Sequence, residues 1–135
     1  MTGNPEFAKE FFGGQAKLLP CRGHADERGI LTPFAFDQLP FTPCRCFVVA
    51  DAPAGCVRGG HAHRSGIQML VCLQGRIDIL MRYRDQEATL ALEPDSFALV
   101  FGPGVWCQQT YVADNSVLLV FASEPYDPGS YLDGA

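Results

Sequence analysis

The sequence predicts an all-β protein, an antiparallel β-barrel or jelly roll. Three observations predict it. First, 14 glycines and 10 prolines cut the chain into short apolar runs, the spacing of many strands separated by turns. Second, Arg76 to Arg84 alternates: Ile77, Ile79, Met81 and Tyr83 share one parity, while Arg76, Asp78, Arg82 and Arg84 share the other. A half-buried strand requires that pattern. Third, no segment carries a long apolar stripe of helical period. At 135 residues the chain reads as one domain over 1–135, long enough to bury one core.

Taken in order, residues 1–14 contain phenylalanines and end in Gly-Gly. They read as a short packed arm or a segment partly foreign to the natural chain, with no function assigned. Cys46 to Ala50 reads as a strand, followed by a turn over Asp51–Gly55. Gln68 to Leu73 is the next strand, closed by Gln74-Gly75, and Arg76 to Arg84 follows. Asp85-Gln86-Glu87 turns the chain into Ala88–Leu92, and Glu93-Pro94-Asp95 turns it into Ser96–Phe101. Gly102-Pro103-Gly104 is a tight turn before Val105–Val112. Ala113–Ser116 leads into Val117–Ala122. A barrel closed on itself leaves few strand edges exposed.

Charge narrows the function. Fifteen acidic and 10 basic residues give a net charge of -5, and Lys and Arg form no run. That composition lacks the electrostatic footprint of nucleic-acid binding. A small anionic ligand must then be held by local arginines. No apolar stretch approaches the roughly 18 residues of a membrane span, so no membrane partner is expected. None of the six cysteines forms a Cys-x-x-Cys pair, which argues against zinc ribbons and thioredoxin-type redox sites. The first residues lack a basic, apolar leader. Free thiols in a reducing cytosol are the expectation, and with them a cytoplasmic location.

The chemistry concentrates between Gly55 and Gly75. His61 and His63 stand at i and i+2, on one face of a strand. Two inward imidazoles are costly to bury without partners, so the pair reads as functional, whereas His24 reads as a surface or satisfied residue. Arg58, always charged, reads as a clamp for phosphate or carboxylate. The spacing Gly55-x5-His61-x-His63-x4-Gln68-x6-Gly75 resembles the first cupin motif, with Gln68 in place of the usual Glu. Phe101 to Cys107 resembles the second motif, with Cys107 where metal-binding cupins place their last histidine. Gln is a poor transition-metal ligand. A Cys107 thiolate with two histidines is a donor set for zinc or iron, which keeps a metal-dependent cupin as an alternative. The leading expectation is no metal and no cofactor.

The wider pattern is similar to the dTDP-4-oxo-6-deoxyglucose 3,4-ketoisomerases, a group also described as having a WxcM-like domain. The residues that carry it are Asp26-Glu-Arg28-Gly29-Ile30-Leu31, Pro40-Phe41, Arg45, Arg58-Gly59-Gly60-His61-Ala62-His63, Gln68, Gly75, Trp106 and the Val117-to-Leu132 tail with Tyr126-Asp127 and Tyr131. The resemblance runs from about residue 17 to 133. It implies a cupin that acts as a homodimer on a small-molecule nucleotide sugar and needs no metal. His61 and His63 would supply a base and its partner. Arg28, Phe47, Arg58, Gln68 and Trp106 would contact substrate. The group tends to carry tyrosines where this chain has Glu27 and the Cys46-Phe47-Val48 run, and phenylalanine cannot relay a proton. That departure motivates a second alternative, a non-catalytic cupin that binds a nucleotide sugar.

Overall fold

The computed structural model describes residues 7–132. Among them, thirteen strands form three antiparallel sheets. The strands are β1 (Lys9–Phe11), β2 (Ala16–Pro20), β3 (His24–Asp26), β4 (Gly29–Leu31), β5 (Arg45–Val49), β6 (Cys56–His63) and β7 (Gln68–Gln74). They continue with β8 (Ile77–Tyr83), β9 (Gln86–Leu92), β10 (Phe97–Phe101), β11 (Trp106–Tyr111), β12 (Val117–Ala122) and β13 (Tyr131–Leu132). One sheet runs β1-β2-β10-β7-β12-β5 and a second β13-β6-β11-β8-β9, while β3 and β4 form a separate hairpin. The two large sheets face each other as in a cupin jelly roll.

Alternation decides what fills the space between them. From β8, Ile77, Ile79 and Met81 point inward and are essentially inaccessible to water. They meet Leu70 and Cys72 of β7, Leu99 and Phe101 of β10, and Leu118 and Val120 of β12. Most of the opposite parity of β7, β10 and β12 does not face solvent either, Leu73 at the end of β7 excepted. Met69, Val71, Ala98, Val100 and Phe121 form a second apolar cluster, covered by Leu19, Phe34, Leu39 and Phe41. Phe34 lies 5.1 Å from Phe121, ring to ring. Strands buried on both faces read as continuous apolar runs, which is why Gln68–Gln74 and Val117–Ala122 show no polar alternation.

The arm is packed as far as it is described: β1 pairs with β2, and Phe11 and Phe12 rest against the core. Residues 1–6 of that arm lie outside the described residues. The turn expected at Asp85–Glu87 is tighter than its composition suggested. Arg84 takes a positive φ of 57°, and Gln86 already pairs with Tyr83. Gly75 has φ +78°, and a Cβ there would lie 2.5 Å from Ser116 Oγ. That hydroxyl is buried and fully used: it accepts from the Arg76 and Ala113 amides and donates to the Arg76 carbonyl. The turn after β7 thus locks onto the turn before β12.

Candidate functional site

Strand β5 is the edge of one sheet and β6 lies one strand in from the β13 edge of the other, and a cavity of about 160 Å3 is lined by residues of both. Phe47, Arg58, His61, His63 and Gln68 all line it. Five of the seven expected site residues are therefore brought together. The other two are not. Arg28 sits on the β3–β4 turn with its side chain 83% exposed and its Nη2 2.6 Å from Asp26 Oδ2. Its charge is answered by its own hairpin. Trp106 has the opposite parity to Cys107 and packs on the far side of β11. Its ring lies 4.9 Å from the Arg82 guanidinium, and it does not line the cavity.

Arg58 and His61 share the cavity although they are three residues apart. In a regular strand that separation places side chains on opposite faces. The β6–β11 register shows how the conflict is resolved: Cys107 faces His61 but Gln108 faces Gly59, leaving Gly60 as one extra residue. Such a bulge re-aims side chains. Gly59 and Gly60 both take positive φ, 79° and 83°. A Cβ on Gly59 would also come within 2.7 Å of Gln109 Oε1 and 2.9 Å of the Cys107 carbonyl. The Gly-Gly pair is what lets a cation and two imidazoles occupy one face.

The imidazoles of His61 and His63 lie 5.4 Å apart, edge to face. Burial lowers the His61 pKa from its ordinary value. His63 is lowered as well, first by burial, then by His61 and Arg45, with Glu124 opposing. Neutral imidazole is the form that accepts a proton, so both shifts favour bases at neutral pH. Arg45 is held at this end of the cavity. Its Nε donates to the Glu124 carbonyl at 3.3 Å, and its guanidinium lies 4.9 Å from the Phe47 ring. Glu124 also accepts from Ser65 Oγ at 2.8 Å.

Three polar lining residues, Tyr131, Gln109 and Tyr111, receive no role at the site from sequence. Tyr131 stacks on His61 at 4.3 Å and meets His63 edge-on at 4.7 Å. It reaches them because β13 adds to β6, with Tyr131 opposite His63. Asp127 prepares that approach by accepting from the Gly129 amide at 2.9 Å. Gln109 and Tyr111 share the inward parity of Cys107 on β11, a signal present in the sequence once Cys107 is read as inward. Cys107 itself is buried, which pushes its thiol up to about 12, and its Sγ accepts from Gln109 Nε2 at 3.3 Å. Among the described residues, no three His, Cys, Asp or Glu side chains are grouped to hold a metal ion.

A jelly roll of two antiparallel sheets, with histidines and an arginine lining a cavity between them, is the architecture of a cupin. The chain belongs to the family described as FdtA: WxcM-like, C-terminal, whose model matches residues 15–134. It is 30% identical over 117 residues to the TDP-4-oxo-6-deoxy-alpha-D-glucose-3,4-oxoisomerase of Aneurinibacillus thermoaerophilus, covering 86% of this chain and 84% of that protein. Among solved structures it is similar to QdtA, a sugar 3,4-ketoisomerase from Thermoanaerobacterium thermosaccharolyticum in complex with TDP. That match has a TM-score of 0.82 and 33% identity, covering 87% of each chain. It is also similar to the WlaRB TDP-quinovose 3,4-ketoisomerase from Campylobacter jejuni, with a TM-score of 0.80 and 28% identity over 88% of this chain and 92% of the other.

Proposed function

We propose that the chain is a sugar-nucleotide 3,4-ketoisomerase, moving the ketone of a dTDP-4-oxo-6-deoxyhexose from C4 to C3. The observation that carries this reading is the pair of proton-accepting imidazoles, His61 and His63, in a cavity that also presents Arg58 and Gln68. The named relatives support it, since they are TDP-sugar ketoisomerases. One imidazole removes the C3 proton, the electron pair forms the C3–C4 double bond, and the C4 carbonyl oxygen takes up a proton, giving the enediol. A proton delivered to C4, with loss of the proton on the C3 oxygen, leaves the ketone at C3. Atoms and charge balance, and no redox partner is required. General acid–base catalysis of this kind contributes about 100-fold to 10,000-fold. Arg58 supplies a fork of N–H donors to the diphosphate, and Gln68 orients an imidazole or a sugar hydroxyl. Phe47 packs against the sugar, so β5 contributes no phenol to the proton route.

The same reading includes a homodimer and a reducing, cytoplasmic setting. Exposed apolar side chains on the outer face of the six-stranded sheet, Val48 and Leu73 among them, favour a second copy as cover. Six free thiols, with Cys44 and Cys46 exposed, favour the reducing setting.

The test is direct. Purified chain is mixed with dTDP-4-oxo-6-deoxyglucose and followed by NMR in D2O. The expected result is a 3-oxo product carrying deuterium at C4. Binding of TDP without any turnover would make the protein a non-catalytic binder. Neither binding nor turnover would remove the reading altogether.

A further inference from the structure

Tyr111 is the largest fully buried side chain among the described residues, with no exposed surface at all. Its hydroxyl is also the one buried side-chain polar atom among the described residues without a hydrogen-bond partner. An unpartnered buried hydroxyl is unfavourable by about 1–3 kcal/mol, and native interiors rarely keep one without a use. Tyr111 belongs to the apolar core between the sheets, at the place where that core borders a cavity. It lines the cavity of His61 and His63, together with Gln109 and Arg58. Gln109 precedes it by two residues on the same face of β11, and Arg58 stands opposite Gln109 on β6. The walls between them are apolar, supplied by Val49, Leu118 and Val120.

We infer that Tyr111 is a substrate-binding residue that donates its phenolic hydrogen bond to an oxygen of the sugar ring of the bound nucleotide sugar. This rests on the ketoisomerase reading of the cavity. The phenol is a donor rather than a phenolate, because burial pushes its pKa up to about 12. A donor at that position calls for an oxygen acceptor. A hydroxyl or keto oxygen enters an apolar, enclosed wall far more readily than a diphosphate, whose charge is expensive to strip of water. The diphosphate therefore belongs with the exposed Arg58 guanidinium, and the sugar with Tyr111. A site built around a hydrogen bond to substrate discriminates strongly against sugars lacking the matching oxygen, so Tyr111 is also a specificity determinant.

The test is Tyr111→Phe, which removes one oxygen and keeps the ring. Three measurements are made on wild type and variant: thermal midpoint without ligand, TDP affinity by calorimetry, and kcat and KM for dTDP-4-oxo-6-deoxyglucose. The expected variant has an unchanged or higher midpoint, unchanged TDP affinity, and a kcat/KM lower by about two- to tenfold, the worth of one neutral hydrogen bond. Unchanged kcat/KM in Tyr111→Phe, beside active wild type, would overturn the inference. So would a midpoint lowered by several degrees, which would give the hydroxyl a partner within the protein. An equal loss of TDP affinity would move the bond from sugar to diphosphate and overturn the assignment. Wild type that neither binds TDP nor turns over would overturn the ketoisomerase reading and this inference with it, a pattern distinct from active wild type with an indifferent Tyr111.

Discussion

His61 and His63 owe their neutral, proton-accepting form to where they are, and their pKa shifts have a direction that a rate profile reads. Free imidazole titrates near about 6.5, and burial lowers both groups. The acid limb of kcat/KM is therefore expected below that value, and a limb above it would contradict the neutral-base assignment. Replacing either histidine by Asn is expected to reduce turnover by about 100-fold to 10,000-fold with TDP binding retained. Near wild-type rates in both variants would sink the mechanism. The arginines separate cleanly. Arg58→Lys keeps the charge and loses the fork, and is expected to weaken TDP binding by about tenfold to a hundredfold. Arg28→Lys is expected to leave it unchanged, because Arg28 already bonds Asp26; calorimetry on both checks this. The motif placed the histidines, Gln68 and Arg58 from sequence alone. Arg28 and Trp106, which the resemblance alone supplied, lie outside the cavity, because a resemblance names residues and not the direction in which their strands present them.

At the scale of the element, β6 lines more of the cavity than any other strand, and its bulge is the part that parity could not foresee. Period-2 reading would send Arg58 and His61 to opposite faces. The extra residue at Gly59-Gly60 cancels that, and the only trace in the sequence is the glycine pair. Gly59→Ala tests it. A left-handed conformation costs an L-residue about 1–2 kcal/mol, and the new Cβ would press on Gln109 Oε1. The expected outcome is a thermal midpoint lowered by several degrees with turnover lost more steeply than stability; a variant with normal kcat would show that the bulge does not position the imidazoles. Tyr131 was illegible for a different reason. It reaches His61 through the pairing of β13 with β6, far from it in sequence, and no local periodicity encodes such a meeting.

For the whole molecule, the two-sheet architecture followed from turn spacing and from the alternation of β8. The strands buried on both faces gave length but no facing, because an apolar run is silent about which side holds which cluster. The small strands β1 to β4 escaped because each is too short to show a period. The depressed histidines also bear on stability. Below about pH 6.5 the unfolded chain takes up protons that the folded cavity resists, so these two residues make folding less favourable as acid is added. Their contribution is whole above the ordinary imidazole value and is lost as pH falls from it toward the lower folded values. Denaturant midpoints measured from pH 8 to pH 5 are expected to fall within that lower window. In the double variant His61→Asn, His63→Asn the fall is expected to shrink; an identical slope would assign it to other groups.

The burial of Cys107 gives the cavity wall an internal clock. Its thiol points into the core from β11, the strand between β6 and β8, with almost no surface, while Cys44 and Cys46 stand in water. An alkylating reagent therefore consumes the outer pair at once and, in a variant whose other buried thiol is removed by Cys72→Ala, waits for β11 to part from its neighbours before it reaches Cys107. The lag counts how often that wall opens. Under the ketoisomerase reading, a nucleotide sugar bound against Gln109 and Tyr111 is expected to hold the same wall shut and to slow the clock in proportion to occupancy.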